Sequence, residues 1–269
     1  MPSRILLVGC GNMGAAMLGG WIEQGVASRD IAVVEPAPAN AAVATARGVA
    51  VVAVPTALDR AFEPDVVVIA VKPQEMATVI PAYRDTAGAP VFVSVAAGTP
   101  IRVLEAALGE AIAVIRTMPN TPALVRRGMS VACANAHVSA AQRDTCTTLL
   151  AAIGEVAWVE DEGLMDAVTG VSGSGPAYAF LLIESLAAAG VDAGLPAKLS
   201  HQLALATVAG ASELARVAPE VPAILRERVT SPGGTTQAAL RVLMAADGLK
   251  PLMSKAVAAA TKRSRELAG

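Results

Sequence analysis

A polar, glycine-containing stretch near the end of the chain has residue types that bind a small anion. Residues 231–238 read SPGGTTQA and interrupt a region rich in alanine and leucine that otherwise has helical periodicity. Glycines in such a turn expose backbone N–H groups, the start of the next helix favours an anion, and threonine hydroxyls donate and accept hydrogen bonds. These features suit a cradle for a small anion. On the residues alone, capping of the following helix by Ser231 and the threonines is the simpler interpretation.

A second candidate site lies near the N-terminus, where GCGNMG places Gly9, Gly11 and Gly14 in the G-x-G-x-x-G spacing. The first glycine permits a tight turn, the second lets a pyrophosphate approach the backbone, and the third allows close packing of helix and strand. Asn12 and Met13 complete the loop at the helix start that would receive the phosphates. The motif follows an apolar strand and opens a helix, as a dinucleotide-binding loop does. A tight turn without a ligand is the alternative.

Two charged residues follow later strands of the same region. Glu35 ends the second strand, where an acidic side chain accepts hydrogen bonds from the adenosine ribose hydroxyls and favours NAD. A carboxylate there would repel a 2′-phosphate, which makes NADH plausible. The sequence does not exclude NADPH, so both cofactors stay open. A solvent-exposed Glu35 in a loop is the alternative. Lys72, in AVKPQ, would lie on the rim of the cofactor crevice or simply in solvent.

The first half of the chain alternates β-branched runs with helical patterns, which predicts a Rossmann-like, doubly wound parallel sheet of the α/β class. The expected buried strands are residues 4–9, 31–35, 65–71, 91–98 and 112–118, followed by a strand-like pair at 128–135 and 155–160. The expected helices are residues 13–25, 38–47, 74–84, 100–108 and 139–153.

The second half has helical periodicity throughout and no convincing strand. The predicted helices are residues 176–190, 196–217, 219–230, 234–246 and 249–267. We therefore expect a dinucleotide-binding domain at 1–160 and a helical domain at 161–269. Because the helices are rich in alanine and leucine with few charges, the helical domain is predicted to form a homodimer or a higher homo-oligomer. A compact monomeric bundle is the alternative.

Composition excludes several classes of function. The 269 residues carry a net charge of -2 and no basic block, which argues against nucleic acid as a partner. Cys10, Cys133 and Cys146 have neither metal-ligand nor disulfide spacing, and His137 and His201 have no recognisable catalytic or metal partner. A cytoplasmic protein without a bound metal is therefore expected. The apolar runs predict neither a signal peptide nor a membrane-spanning helix.

Five segments in one order carry a resemblance to a known family. They are GCGNMG (9–14), AVKPQ (70–74), RTMPNTPA (116–123), GVSGSGPAY (170–178) and VTSPGGTTQAAL (229–240). From about residue 4 to 265 the chain closely resembles pyrroline-5-carboxylate reductases, and Ser-Pro-Gly-Gly-x-Thr is the most specific of these motifs. The resemblance implies reduction of the C=N bond of 1-pyrroline-5-carboxylate to L-proline with NADPH or NADH, the last step of proline biosynthesis. It also implies an active site between a Rossmann domain and helices of an interlocked dimer.

The resemblance also implies roles for particular residues. Thr236 would place its hydroxyl at the ring nitrogen and is the candidate catalytic residue. The substrate carboxylate would be bound by Ser231, Gly233, Gly234 and Thr235. The cofactor would be bordered by Ala70, Val71, Lys72 and Pro73, and the nicotinamide would lie near Met118, Pro119 and Asn120. Glu35 departs from the Ser, Thr, Asn or Arg of many members, which puts a strong NADPH preference in doubt.

Two rival functions share the N-terminal motif. A dehydrogenase resembling hydroxyisobutyrate dehydrogenase would need a catalytic lysine and an asparagine in the helix after GVSGSGP, but Ala179 and Ile183 occupy those places. A non-catalytic dinucleotide-binding protein would have no need of the SPGGTT segment.

Overall fold

The computed structural model describes residues 4–268, which belong to two compact units. The first unit runs to Gly173 and includes the end of the last helix from Ala260, and the second comprises Ser174–Ala259. The sequence-based division lies earlier, at about residue 160. The segment after residue 160 stays with the first unit because Met165 is completely buried in the core of the sheet.

A single eight-stranded sheet forms the centre of the first unit, within the described residues. Its strands are β1 (Ile5–Val8), β2 (Ile31–Val34), β3 (Ala50–Val52), β4 (Val66–Ile69), β5 (Val91–Ser94), β6 (Val114–Met118), β7 (Gly128–Ala134) and β8 (Gly154–Trp158). The strand order is β3-β2-β1-β4-β5-β6-β7-β8. Neighbours from β3 through β6 pair in parallel, β7 pairs antiparallel with β6, and β8 pairs parallel with β7.

The predicted Rossmann-like sheet is confirmed, with one omission. The five strands expected from β-branched runs are present, because strands buried on both faces are continuous apolar runs. Strand β3 was missed; it is short, lies at the sheet edge, and its residues are exposed or only half-buried. The chain leaves β1 towards β2 on one side and returns to β4 on the other. This reversal creates a crevice at the carboxyl ends of β1 and β4, where such folds bind ligands.

Six α-helices accompany the strands in the described part of the first unit. They are α1 (Asn12–Glu23), α2 (Pro38–Thr45), α3 (Met76–Val79), α4 (Ile101–Leu108), α5 (Ala140–Ala151) and α6 (Met165–Val168). The helix expected at 74–84 was wrong as a continuous element: α3 is a single short stretch between the 3-10 turns Pro73–Glu75 and Ile80–Tyr83. Pro81 has no backbone N–H to donate, so a regular helix cannot run through it.

The core of this unit lies on both faces of the sheet. Along β1, Ile5 and Leu7 pack in one cluster with Trp21 of α1, whereas Leu6 packs in the opposite cluster with Leu104 of α4. Successive side chains of a strand point to opposite faces, so one apolar run supplies both layers. Each completely buried side chain of this size contributes about 1.5–3 kcal/mol relative to its exposed state. The sheet is thereby a rigid base for the loops at its edge.

An ion pair between a buried arginine and a half-buried glutamate fixes the start of the second half of the chain to the sheet. Arg116 on β6 has a side chain only 6% exposed, and its guanidinium lies 2.8 Å from the carboxylate of Glu162. The same Glu162 oxygen accepts a hydrogen bond from the N–H of Ile101, the first residue of α4. Glu162 therefore joins β6, α4 and the segment that leads to α6.

We expect Glu162→Ala to lower the free energy of unfolding by about 3 kcal/mol, because it leaves the buried Arg116 charge unpaired. Glu160→Ala is the matched control, since its partner Arg143 is 37% exposed and Glu160 itself 83% exposed. That control should cost less than about 1 kcal/mol. Urea unfolding of both variants at one protein concentration is the measurement. Equal losses in the two variants would contradict the assignment.

The second unit is helical, as predicted, throughout its described residues. Its helices are α7 (Gly175–Asp192), α8 (Ala197–Val217), α9 (Pro222–Arg228), α10 (Thr235–Leu243) and α11 (Leu249–Ala268), the last of which ends in the first unit. Helices α7 and α8 approach closely: the Ser200 hydroxyl donates to the carbonyl of Ala187 at 2.6 Å. A side chain at Gly190 would overlap the same hydroxyl, so glycine is required at this crossing.

The helices of the second unit bury little of their apolar surface within one chain. Between α7 and α10 only Ser200 and Ala204 are buried among the described helical residues. Phe180 and Leu181 of α7 are 58% and 61% exposed. Exposed large apolar side chains on neighbouring helices are typical of a surface that takes part in protein–protein contact.

One described stretch, Glu162–Asp192, is long and apolar enough to cross a membrane by length and composition. The sequence-based expectation concerned an uninterrupted apolar run, whereas this stretch contains the charged residues Asp166 and Glu184. None of its most apolar window is buried inside the chain. Gly173 and Pro176 interrupt it, and a π-helical turn, Thr169–Gly173, precedes α7.

Candidate active site

The glycine loop between β1 and α1 has the geometry of an anion-binding turn. Gly9 has φ +89°, and a side chain there would lie 2.9 Å from the carbonyl oxygen of Ala70. A side chain at Gly14 would overlap the carbonyl oxygen of Gly9. A side chain at Gly11 would meet no protein atom within 4 Å. Packing therefore requires glycine at the first and third positions, whereas the second faces open space, as close approach of a pyrophosphate requires.

The start of α1 leaves backbone donors free for that anion. Gly11 is its N-cap, and no side chain caps the helix. The first-turn N–H groups of a helix have no partner within the helix, and the helix dipole adds positive potential there. Asn12, Met13 and Gly14 form this first turn, and Asn12 is exposed. The residues present fit the phosphates of a dinucleotide.

A cavity of about 660 Å³ adjoins the glycine loop at the carboxyl ends of β1, β2 and β4. Its described wall brings together six of the expected cofactor residues: Gly9, Gly11, Glu35, Ala70, Val71 and Lys72. Lys72 is exposed, as a rim residue is. Pro73 opens the following 3-10 turn and lies outside this wall.

The wall also contains residues that sequence reasoning missed. They are Asn40 at the start of α2, Ala53 and Pro55 after β3, and Thr78, Val79, Ala82 and Tyr83 around α3. Four of these belong to the helix expected at 74–84, and two directly follow the missed edge strand. The sequence does contain a signal for the missed strand: residues 49–55, VAVVAVP, are a β-branched run that ends at a proline.

Glu35 is buried at the base of this cavity, 6% exposed, so the solvent-exposed alternative was wrong. One carboxylate oxygen accepts the N–H of Cys10 at 2.7 Å and the side-chain amide of Asn40 at 3.3 Å. The other accepts the N–H of Ala37 at 2.8 Å. The sequence predicted an acceptor for ribose hydroxyls but not these three bonds, which tie the carboxylate to the glycine loop.

Met118, Pro119 and Asn120 lie at the end of β6 and outside the wall of this cavity. The Asn120 amide donates to the carbonyl and the hydroxyl of Ser172, both at 3.2 Å, and its oxygen accepts the N–H of Met129 at 2.9 Å. A side chain at Gly173 would overlap the Met118 methyl group. Asn120 therefore joins the end of β6 to the π-helical turn, and Met118 lies against Gly173 in the same turn.

The SPGGTT segment, in the second unit, forms the turn into α10. Gly233 has φ +72°, which requires glycine. Its N–H donates to the Gln237 side chain at 2.8 Å, and the Gly234 N–H donates to the Ser231 carbonyl at 3.0 Å. The expectation that these glycines offer free N–H groups was therefore wrong, because the turn itself uses both.

The free donors of this segment are its hydroxyls and the first turn of α10. Gly234 is the N-cap, and no side chain caps the helix, so capping by Ser231 or the threonines is not observed. The hydroxyls of Ser231, Thr235 and Thr236 have no hydrogen-bond partner among the described residues. Hydroxyls and unpartnered N–H groups at a helix start are able to donate hydrogen bonds to an anion without carrying a charge themselves.

Burial disfavours the thiolate form of all three cysteines. Burial, followed by the charge of Glu35, raises the pKa of Cys10, and burial raises that of Cys146 to about 12. Burial likewise raises the pKa of Cys133. All three are free and buried. Among the described residues, no group of three or more His, Cys, Asp or Glu side chains is placed to hold a metal ion.

A mostly parallel sheet, a glycine loop with free backbone donors at the helix start and an adjoining cavity are the features of a Rossmann domain that binds a dinucleotide, and comparison with known proteins identifies the class as NAD(P)-dependent oxidoreductases. Residues 4–98 match a family model described as NADP oxidoreductase, coenzyme F420-dependent. Residues 162–267 match the model described as pyrroline-5-carboxylate reductase dimerisation.

Full-length comparisons define the family. A pyrroline-5-carboxylate reductase from Pseudomonas aeruginosa is 44% identical over 98% of this chain and 97% of that protein. The solved structure of a pyrroline-5-carboxylate reductase from Coxiella burnetii matches with a TM-score of 0.92 and 34% identity, covering 99% of each chain. That from Plasmodium falciparum, with NADP bound, has a TM-score of 0.83 and 28% identity over 99% of this chain and 98% of that one. The chain belongs to the pyrroline-5-carboxylate reductase family.

Proposed function

We propose that the protein reduces the C=N bond of 1-pyrroline-5-carboxylate to give L-proline, with NADPH or NADH as the hydride donor. The observation that carries the proposal is the 44% identity to a pyrroline-5-carboxylate reductase over nearly the full length of both chains. The glycine loop, its cavity and the free hydroxyls at the start of α10 supply the groups that such a reaction needs. The NADP in the Plasmodium relative supports a nicotinamide dinucleotide in this chain.

The reaction depends more on correct positioning of the substrate than on a strong acid. A protonated cyclic imine accepts hydride readily, so the protein must bind the carboxylate, donate a hydrogen bond at nitrogen and orient the ring. The reduced nicotinamide, when bound, supplies the hydride to the imine carbon. In this proposal Ser231, Thr235 and the first-turn N–H groups of α10 bind the carboxylate, while the Thr236 hydroxyl donates at the ring nitrogen.

The rival dehydrogenase has no support in the site. Ala179 and Ile183, at the places where that class requires lysine and asparagine, are apolar residues of α7. Without the lysine, the site lacks the acid–base group that oxidation of an alcohol requires. A non-catalytic dinucleotide-binding protein would not explain a hydroxyl-rich helix start with unpartnered donors.

A paired assay tests the proposed function. Purified protein is given 1-pyrroline-5-carboxylate with NADH or with NADPH, and both the loss of reduced cofactor and the proline formed are measured. We expect stoichiometric formation of L-proline with at least one cofactor. Absence of turnover with both would overturn the proposal.

We further propose that the active form is a homodimer or a higher homo-oligomer, in which a second copy covers the apolar faces of α7 and α8. The match of residues 162–267 to a dimerisation family supports this, as do the exposed Phe180 and Leu181. Burial against a second copy also explains why the stretch Glu162–Asp192 is apolar, with no need for a membrane to cover it. Three free, buried cysteines support a cytoplasmic location. Analytical ultracentrifugation without detergent should give a dimer or a multiple of it, and a monomer would overturn the assembly.

A further inference from the structure

The position and fixation of Glu35 bear on which of the two cofactors the protein uses. Glu35 follows the last residue of β2 and lines the cavity beside Ala37 and Asn40. An acidic residue at this place in a Rossmann domain hydrogen-bonds the ribose 2′-hydroxyl, whereas a 2′-phosphate is accommodated by a nearby arginine. The described wall of the cavity contains no arginine.

The charge at this position cannot turn away from a bound nucleotide. Both oxygens of Glu35 are held, by the N–H groups of Cys10 and Ala37 and by the amide of Asn40. The side chain is 6% exposed, so solvent does little to screen it. A phosphate on the ribose would bring about -1.5 to -2 charges against this fixed carboxylate.

The other charged groups of the cavity do not offset Glu35. They are Glu75 and Lys72, so the charged side chains in the described wall comprise two glutamates and one lysine. Lys72 follows β4, which β1 separates from β2. The strand ends that precede Glu35 and Lys72 are therefore two strand spacings, about 10 Å, apart. Lys72 is also exposed, and water screens its charge.

We propose that Glu35 makes this enzyme selective for NADH over NADPH, and that the same carboxylate holds the glycine loop in its phosphate-binding form. The inference rests on the proposed function for its biological meaning, but it concerns cofactor binding alone. It has two separable consequences. Loss of the carboxylate should relieve the repulsion of NADPH, and loss of its bond to the Cys10 N–H should weaken both cofactors.

Direct binding measurements test the proposal without the imine. Dissociation constants of NADH and NADPH are measured by cofactor fluorescence on the full chain. We expect the unmodified protein to bind NADH at least about tenfold more tightly, a difference of about 1.4 kcal/mol. In Glu35→Ser, this preference should fall by about tenfold or more while NADH itself binds more weakly.

Two further variants keep the test decisive. Ala37→Arg leaves Glu35 and its loop bonds in place and should strengthen NADPH binding, because the guanidinium stands beside the ribose position. Glu75→Gln is the matched control: it removes a charge from the same wall but away from β2, and should change the NADH-to-NADPH ratio by much less than Glu35→Ser does.

Equal or tighter binding of NADPH by the unmodified protein would overturn the inference, as would an unchanged ratio in both Glu35→Ser and Ala37→Arg. These outcomes are distinct from failure of the proposed function. If NADH binds selectively but 1-pyrroline-5-carboxylate is not reduced, the proposed reaction is wrong and the role of Glu35 stands. If the imine is reduced with NADPH preferred, the reaction stands and the role of Glu35 is wrong.

Discussion

Replacing Thr236 by alanine is expected to lower kcat by about a hundredfold, at the lower end of the range for loss of a proton-donating group. Thr236 lies in the first turn of α10, and its hydroxyl has no partner among the described residues, so it is available to the ring nitrogen. Steady-state kinetics with 1-pyrroline-5-carboxylate is the measurement. The fold should persist, because alanine is the most favourable residue within a helix.

Two related variants separate the hydroxyl from the shape of the side chain. Thr236→Val keeps the branched shape without the hydroxyl and should lose kcat as Thr236→Ala does. Thr236→Ser restores the hydroxyl and should recover most of the rate. If Thr236→Ala turns over at the unmodified rate, Thr236 does not act on the substrate, and the role inferred for the start of α10 fails.

Alanine at two positions of the glycine loop should have opposite kinds of effect. Gly11→Ala adds a methyl group where no protein atom lies within 4 Å, and its φ of -67° suits any residue. The fold should therefore be unaffected, while NADH should bind at least about tenfold more weakly, because the methyl group occupies the place of the pyrophosphate. Calorimetric titration with NADH and thermal unfolding of the same sample measure both effects.

Gly14→Ala is the contrasting variant, since its methyl group would overlap the carbonyl oxygen of Gly9. It should lower the stability of the first unit by about 1–3 kcal/mol, as overpacking does, whether or not cofactor is present. If Gly11→Ala binds NADH as the unmodified protein does, the second glycine does not face the phosphates. If it instead unfolds like Gly14→Ala, the space beside Gly11 is not open.

The sequence predicts well those parts of the fold that are stabilised mainly by burial of apolar side chains. The runs that form β1, β2 and β4 are buried on both faces, so their composition alone identifies them. Strand β3 also lies in an apolar run, residues 49–55, but the strand is only three residues long, half-exposed, and stabilised by pairing with β2 at the sheet edge, which the sequence does not show. The helix expected at 74–84 failed for a local reason, the missing N–H of Pro81.

The sequence predicted which residues line the candidate site better than it predicted their hydrogen-bond partners. Gly9, Gly11 and Glu35 were assigned from spacing along the chain, and all line one cavity. Spacing does not specify hydrogen bonds between distant segments, so the bonds of Glu35 to Cys10 and of Asn120 to Ser172 were not predicted. At SPGGTT the residue types indicated a cradle, but the turn uses the glycine N–H groups and leaves the hydroxyls free.

The reaction itself can be followed with an isotope in the cofactor. NADH or NADPH carrying deuterium at the transferable position of the nicotinamide is incubated with the protein and 1-pyrroline-5-carboxylate, and the proline formed is analysed by mass spectrometry and NMR. We expect L-proline with a single deuterium on the carbon that was part of the C=N bond. Proline without deuterium, deuterium at another carbon, or no proline with either cofactor would contradict direct hydride transfer to the imine.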